Sequence, residues 1–297
     1  MINSMERFLQ EFPIQSIEYR DEKYPELLKQ LPDPPKMLFY RGNFLTGNEK
    51  CFGAVGTRLA SDYGKEIAFS IAKDLAHAGL TIVSGMARGI DTCSHKAALE
   101  ANEKTIAILG TGLDEKTIYP QENLKLAKQI LEKGGCLISE YPAGTRGAIF
   151  TFPQRNRIIA MLSLGILVVE AKIKSGALIT AQFAKQYKKK LFAVPGNIHS
   201  QNSQGCHLLI KQGAKLVENA NDILKDLNLP GLKTKQSNFE NLQQQLIFNA
   251  LQKGALPIDK IIEITKMPPQ EISGVITVME IEGKVRNMGG NVYALSG

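Results

Sequence analysis

No stretch of this 297-residue sequence approaches about 18 uninterrupted apolar residues, so a transmembrane helix is excluded. The N-terminus, MINSMERFLQEFPIQ, carries acidic residues, lacks an apolar core and a small-residue cleavage site, and does not read as a secretory signal. Cysteine is scarce. Cys51, Cys93, Cys136 and Cys206 lie far apart and in no metal-ligand spacing. All four are expected as reduced core or near-core thiols of a cytosolic protein. Catalytic signatures are missing as well. No segment matches GxxxxGK followed by Ser or Thr, which argues against a P-loop ATPase. GTGLDE lacks the third glycine of GxGxxG, and the first strand turn carries Arg58 where that fingerprint has glycine, which argues against a dinucleotide site. There is no GxSxG elbow and no histidine–carboxylate pair with metal spacing. His77 is expected partly exposed, and His95, at a helix start, is expected in a surface or packing role. The sequence therefore predicts no catalytic residue, no metal and no cofactor.

What is present from Cys51 onward is alternation. The apolar runs at 51–56, 80–84, 104–109, 136–139, 165–171 and 191–195 read as buried strands, with helical patterns between them. One such helix, 61–79, has Ser61 or Asp62 to cap it and Gly79 to stop it. This order predicts an α/β fold: an extended Rossmann-like parallel sheet with helices on both faces. Residues 1–48 read as a Pro-rich, irregular extension packed on that domain, which spans 49–229. A polar linker, 230–240, leads to a last domain at 241–297. Its pattern of three helices and a hairpin, with Gly289 and Gly290 near the turn, is the winged-helix order.

Charge is unevenly spread. The net charge is +7, yet nine basic residues against the single acid Glu170 give the segment 141–190 a local net of +8. The last domain has five basic and five acidic residues. A polyanion would therefore bind the middle of the chain. Ligands of an open parallel sheet bind outside the carboxyl ends of the strands, and the loops predicted there are rich in glycine. Gly56, Gly85, Gly89 and Gly110 would admit a backbone or ligand closely. Three of the loops carry an arginine, Arg58, Arg88 or Arg146, the side chain that matches phosphate oxygens in a fork. In IFTFPQRNRIIAMLS, Phe150 and Phe152 precede Arg155, Asn156 and Arg157 at the start of a helix. Cations for phosphates beside aromatic faces for bases are how single strands are held without sequence readout. The competing reading makes the phenylalanines core and pairs the arginines with acids, of which the segment has few. Lys188–Lys190 read as a solvated face at a helix end. In the last domain, 270–283 has no cation, and Ile272, Val275, Ile276 and Val278 read as core.

GTRLASDYG, VSGMARGID, ILGTGLDEKTIYPQENLKLA, LISEYPAGT, FPQRNRIIAMLS, VVEAKIKSGALITAQFA and VPGNIHSQNSQG resemble, in order and spacing, the successive motifs of the DNA-processing protein A (DprA/Smf) family. The resemblance implies homodimerisation through the Rossmann-like domain and binding of single-stranded DNA during natural transformation. It further implies handing that DNA to a RecA-type recombinase. Family DNA contacts carried onto this chain fall on Arg58, Arg146, the FPQRNR stretch and Lys174. Where members often read S-x-G-T-N-x-L-I this chain reads SQGCHLLI, with Cys206 and His207 in place of Thr and Asn. A second reading is a nucleotide-processing enzyme related to lysine-decarboxylase-like phosphoribohydrolases. The chain has PAGTRG where those enzymes carry PGGxGT, and Glu140 and Glu170 are the acids expected near the edge. A third, a sequence-specific transcription factor, conflicts with the zero net charge of the winged helix.

Overall fold

The computed structural model describes residues 11–232, 242–252 and 254–295. The chain divides into two units, Met1–Leu232 and Lys233–Gly297. Most of the expected linker, from residue 233 on, lies outside the described residues.

The apolar runs form strands because each is buried along its whole length: β3 (Cys51–Val55), β4 (Thr81–Ser84), β5 (Thr105–Leu109), β6 (Cys136–Ser139) and β7 (Gly165–Val168). With no solvent face, a parallel strand has no alternation to show. β7 stops short of its apolar run. Val169 bonds Val55, and the Glu170 carbonyl accepts from Thr57, so both leave the ladder to close the edge above β3. β8 (Lys190–Ala193) and the short β9 (Lys215–Leu216) follow.

The segment read as irregular is not. Gln15–Glu18 (β1) and Met37–Gly42 (β2) are antiparallel strands, and β2 pairs with β6. All of its prolines but Pro13 lie in the connection between them, where Tyr24 donates its hydroxyl hydrogen to Pro35. Proline spacing, not strand content, made the segment look irregular.

The sheet order is β1-β2-β6-β5-β4-β3-β7-β8-β9, and β6 through β9 run parallel. The chain builds outward from β3 on one side, then returns to its other side with β7. That reversal is a topological switch point, where a crevice opens beyond the carboxyl ends of the two strands. On one face the helix Thr151–Leu162 sets Ile158 and Ile159 against Val55, Ile166 and Val168. On the other, the helix Asp62–His77 sets Ala68, Ile71 and Leu75 against Phe52, Ala54 and Leu167. Ser61 caps that helix, accepting from the Gly64 amide at 3.1 Å, and Gly79 leaves it at φ +85°. Cys51, Cys136 and Cys206 are buried and Cys93 half-buried; all four are free thiols.

In the second unit the helices Leu242–Leu251, Ile258–Thr265 and Pro269–Ile281 enclose Ile247, Leu251, Ile261, Ile272, Ile276 and Met279. The hairpin Val285–Asn287/Val292–Leu295 turns through Gly289, Gly290 and Asn291, all at positive φ. This is a winged helix. One expected core residue is not in the core: Val278 is exposed.

Candidate nucleic-acid interface

A cavity of about 790 Å³ lies at the switch point, bounded by Gly56, Thr57 and Arg58 after β3 and by Ser175, Gly176 and Thr180 after β7. Its other walls come from Asp91, Lys116, Tyr119, Arg146, Phe152, Arg155 and Asn156. Loops far apart in the chain meet here because every parallel strand delivers its carboxyl end to the same edge.

Arg58 and Arg146 are exposed on the rim, and neither has an ion-pair partner among the described residues. The Arg58 guanidinium stands 5.3 Å from the centre of the Phe152 ring, and the centre of the Tyr119 ring lies 5.6 Å from that of Phe152, the two rings tilted by 49°. A guanidinium over a ring is held by the ring quadrupole while its outer N–H groups stay free for an anion. Phe150 is 69% exposed at the start of the following helix. Lys174 and Lys116 are also exposed, on loops that contribute to the rim. Arg88 lies beside Arg58 and Phe152 but is ion-paired, its Nε 2.7 Å from Glu122.

The FPQRNR cations do not stand on the surface. Arg155 is 4% exposed, and its Nη1 donates to the carbonyls of Gly85, at 2.6 Å, and of Ile108. It thereby ties the ends of β4 and β5 together beneath the cavity. Burial pushes its guanidinium down to about 10, with Asp91 acting against the shift. Burial likewise raises the Asp91 carboxyl, against Arg155 and the amides of Ala87 and Gly85. Arg157 donates from Nη2 to both Glu140 oxygens, at 2.6 and 2.7 Å. Asn156 is buried and donates to the Gly176 carbonyl at 3.2 Å, joining the two walls. The helix begins at Thr151, a turn earlier than the arginines, so they point into the sheet rather than out from its end.

The glycines serve the protein's own packing. A Cβ on Gly56 would come 2.4 Å from Ile90, and one on Gly85 would come 2.2 Å from the Arg155 guanidinium. Lys190 pairs with Asp226 at 3.1 Å and Lys189 is half-buried, so the lysine run is only partly a solvated face. His77 is exposed and His95 fully buried, its Nδ1 2.8 Å from the Thr105 hydroxyl, with burial pushing its pKa down to about 3. Cys206 is buried, and His207 Nε2 sits 3.0 Å from the Gly196 carbonyl. Glu140 is committed to Arg157. Glu170 accepts from the Ser61 amide and hydroxyl at 2.9 and 2.6 Å, and Asp91 and Asp114 join these acids near the edge. Neither glutamate that the enzyme reading needs is free. Among the described residues no group of His, Cys, Asp and Glu is placed to hold a metal, and no helix is long and apolar enough to cross a membrane.

Thr57, Asp91, Lys116 and Tyr119 were not singled out from the sequence, although VSGMARGID and GTGLDEKTIYP contain three of them. The signal for Lys116 and Tyr119 was a cation and an aromatic in one glycine-led loop, which does not by itself say what that loop faces.

The profile of the family described as DNA recombination-mediator protein A matches residues 15–228, and that of the DprA winged helix domain matches 236–291. Protein Smf of Escherichia coli is 38% identical over 285 residues, covering 92% of this chain and 75% of its own. The crystal structure of DNA processing protein A from Streptococcus pneumoniae aligns at TM-score 0.66 with 40% identity, covering 74% of this chain and 76% of its own. DNA processing protein A from Helicobacter pylori, whose structure concerns a single-stranded DNA binding mode, aligns at 0.65 with 30% identity, covering 73% and 96%. With both units matched in order, this chain belongs to the DNA recombination-mediator protein A family.

Proposed function

We propose that this chain binds single-stranded DNA along the carboxyl edge of its nine-stranded sheet, without chemistry of its own. In this reading Arg58, Arg146, Lys116 and Lys174 neutralise phosphates, and Phe150, Phe152 and Tyr119 offer faces to bases. Gly56, Arg155, Asn156 and Arg157 hold the rim in shape from beneath. Arg88 is shared with Glu122, which takes its Nε. The observation that carries the reading is the pair of exposed arginines with no ion-pair partner among the described residues, one of them over an aromatic ring, around a cavity at the switch point. The H. pylori relative's single-stranded DNA binding mode supports it. The wider role follows the family: a cytoplasmic protein of natural transformation, a homodimer through its Rossmann-like unit, that protects incoming strands and loads a RecA-type recombinase.

The test is affinity for single-stranded against duplex oligonucleotides across a salt series. Each neutralised phosphate of a single strand contributes about −0.7 to the slope of log K against log salt, so four rim cations give a slope of roughly −3. Equal affinity for duplex, or a flat salt response, rejects the proposal.

A further inference from the structure

The helix Pro269–Ile281 holds the position of the recognition helix in the winged-helix unit, yet its outer face is poorly suited to a DNA groove. With roughly 3.6 residues per turn, Glu271, Gly274, Val278, Ile281 and Glu282 share one face, turned away from the buried Ile272, Ile276 and Met279. Val278 is 43% exposed and Ile281 82%. Nothing stands within 4 Å of where a Gly274 side chain would be, so the stripe has an open notch one turn before Val278. The wing is tied to the same end: the Asn287 amide donates to Glu280 at 3.3 Å, and the next residue, Met288, is 56% exposed.

The charges around this apolar stripe are acidic. The helix contains no lysine or arginine; Lys266 precedes it, and Lys284 and Arg286 follow it. Glu271 accepts from Gln243 and Glu280 from the Asn287 amide, and neither has a cationic partner among the described residues. Glu282 is paired with Lys284 at 2.6 Å. A phosphate backbone laid here would meet carboxylates. A second copy of the same helix, in either direction, would bring carboxylate against carboxylate at the ends of the stripe. A partner whose apolar side chains sit between cations meets neither obstacle.

We propose that this face docks a segment of a partner protein with apolar residues flanked by lysines or arginines, an amphipathic helix being the simplest form. Leucine-sized side chains fill the notch at Gly274 and cover Val278 and Ile281, and a flanking cation reaches Glu271. Burial of the stripe supplies the affinity and the carboxylates supply the choice of partner.

The experiment uses the full chain and a fluorescent synthetic peptide of leucine and lysine, with leucines at the helical i, i+3, i+4, i+7 spacing, read by anisotropy. A scrambled peptide of the same composition and one with glutamate for lysine are the controls. The amphipathic peptide should bind at least about tenfold more tightly than either control. The double variant Val278→Ser, Ile281→Ser should weaken it by roughly tenfold, through loss of buried apolar area. Glu271→Gln should weaken it several-fold and flatten its salt dependence. Gly274→Leu, a helix-favouring change into open space, should block the notch even if the serine variant melts early. Equal binding of the scrambled peptide, or binding unchanged in both Gly274→Leu and the serine variant, overturns the proposal. So does displacement of the peptide by a duplex oligonucleotide, which would make the occupant nucleic acid. A wild-type self-association abolished by Gly274→Leu overturns it in favour of a second copy.

Discussion

The rim and the floor of the cavity carry the same side chain with opposite duties. Arg58 and Arg146 stand in solvent and make no ion pair among the described residues, Arg58 lying over the Phe152 ring. Arg155 and Arg157, nine and eleven residues along the chain from Arg146, are buried, Arg155 bonded through Nη1 to Gly85 and Ile108 and Arg157 through Nη2 to Glu140, while Arg155 Nε and Arg157 Nη1 make no hydrogen bond among the described residues. Residue type and local sequence do not separate the two pairs. Depth does: a guanidinium in the interior must be matched by carbonyls or a carboxylate, and one so matched has little left for a ligand. The winged-helix unit adds a third case, a helix in the recognition position with no cation to offer.

The largest effects should come from the floor. Arg155→Ala and Arg157→Ala each leave a buried partner unmatched and should cost about 3–5 kcal/mol of stability, measured by chemical denaturation. If either variant melts like the wild type but fails to bind DNA, the division between rim and floor is wrong. Next come the rim substitutions. Arg58→Ala and Arg146→Ala should leave the melting temperature unchanged and weaken single-strand binding by about 10- to 150-fold, the worth of a charge-assisted contact. A drop in stability without a drop in affinity would move them to the floor.

Acid should loosen the interior while leaving the rim cations charged. His95 is held near pKa 3 by burial, whereas an unfolded histidine titrates near 6.5. Between those values the unfolded state takes up a proton that the folded state refuses. Stability is therefore whole above about pH 6.5 and falls as the pH drops toward 3, by roughly 2 kcal/mol at pH 5. The buried carboxyls of Asp91 and Glu140 are raised and act in the opposite sense, so the comparison is between wild type and His95→Gln. Denaturation at pH 7 and pH 5 should show a smaller acid loss in the variant; equal losses would mean that His95 is protonated when folded. The smallest effect is expected from removing the second unit. A chain ending at Leu232 should bind a short single strand within tenfold of the full chain, because the rim cations all remain. A greater loss would give the winged helix a share of the DNA.

The division into a sheet domain and a winged helix could be read from the chain, because burial on both faces forces uninterrupted apolar runs and the helices between them keep their period. β1 and β2 could not, since each is short and the prolines between them dominate the local pattern. At the site, the glycine loops and the arginines of the first β–α loop and of 141–147 were visible as residue types set at a predicted sheet edge. Lys116 and Tyr119 were present in a quoted motif but carried no weight, because nothing in one loop reveals which other loops it will face.

By itself the sequence determined the order of β3 to β8 and the helices between them, the edge at which loops collect and the concentration of positive charge in 141–190. Each is a local property: periodicity, turn chemistry or composition. Only the tertiary structure decided which cations are free. The partners of Arg155 lie 70 and 47 residues away along the chain, and its burial comes from β4 and β5 closing over it. The same holds for Val278, which reads as core by hydrophobicity and faces solvent because Ile272, Ile276 and Met279 already fill the inner side of its helix. A side chain's type sets what it can bind, and packing sets whether anything remains to be bound.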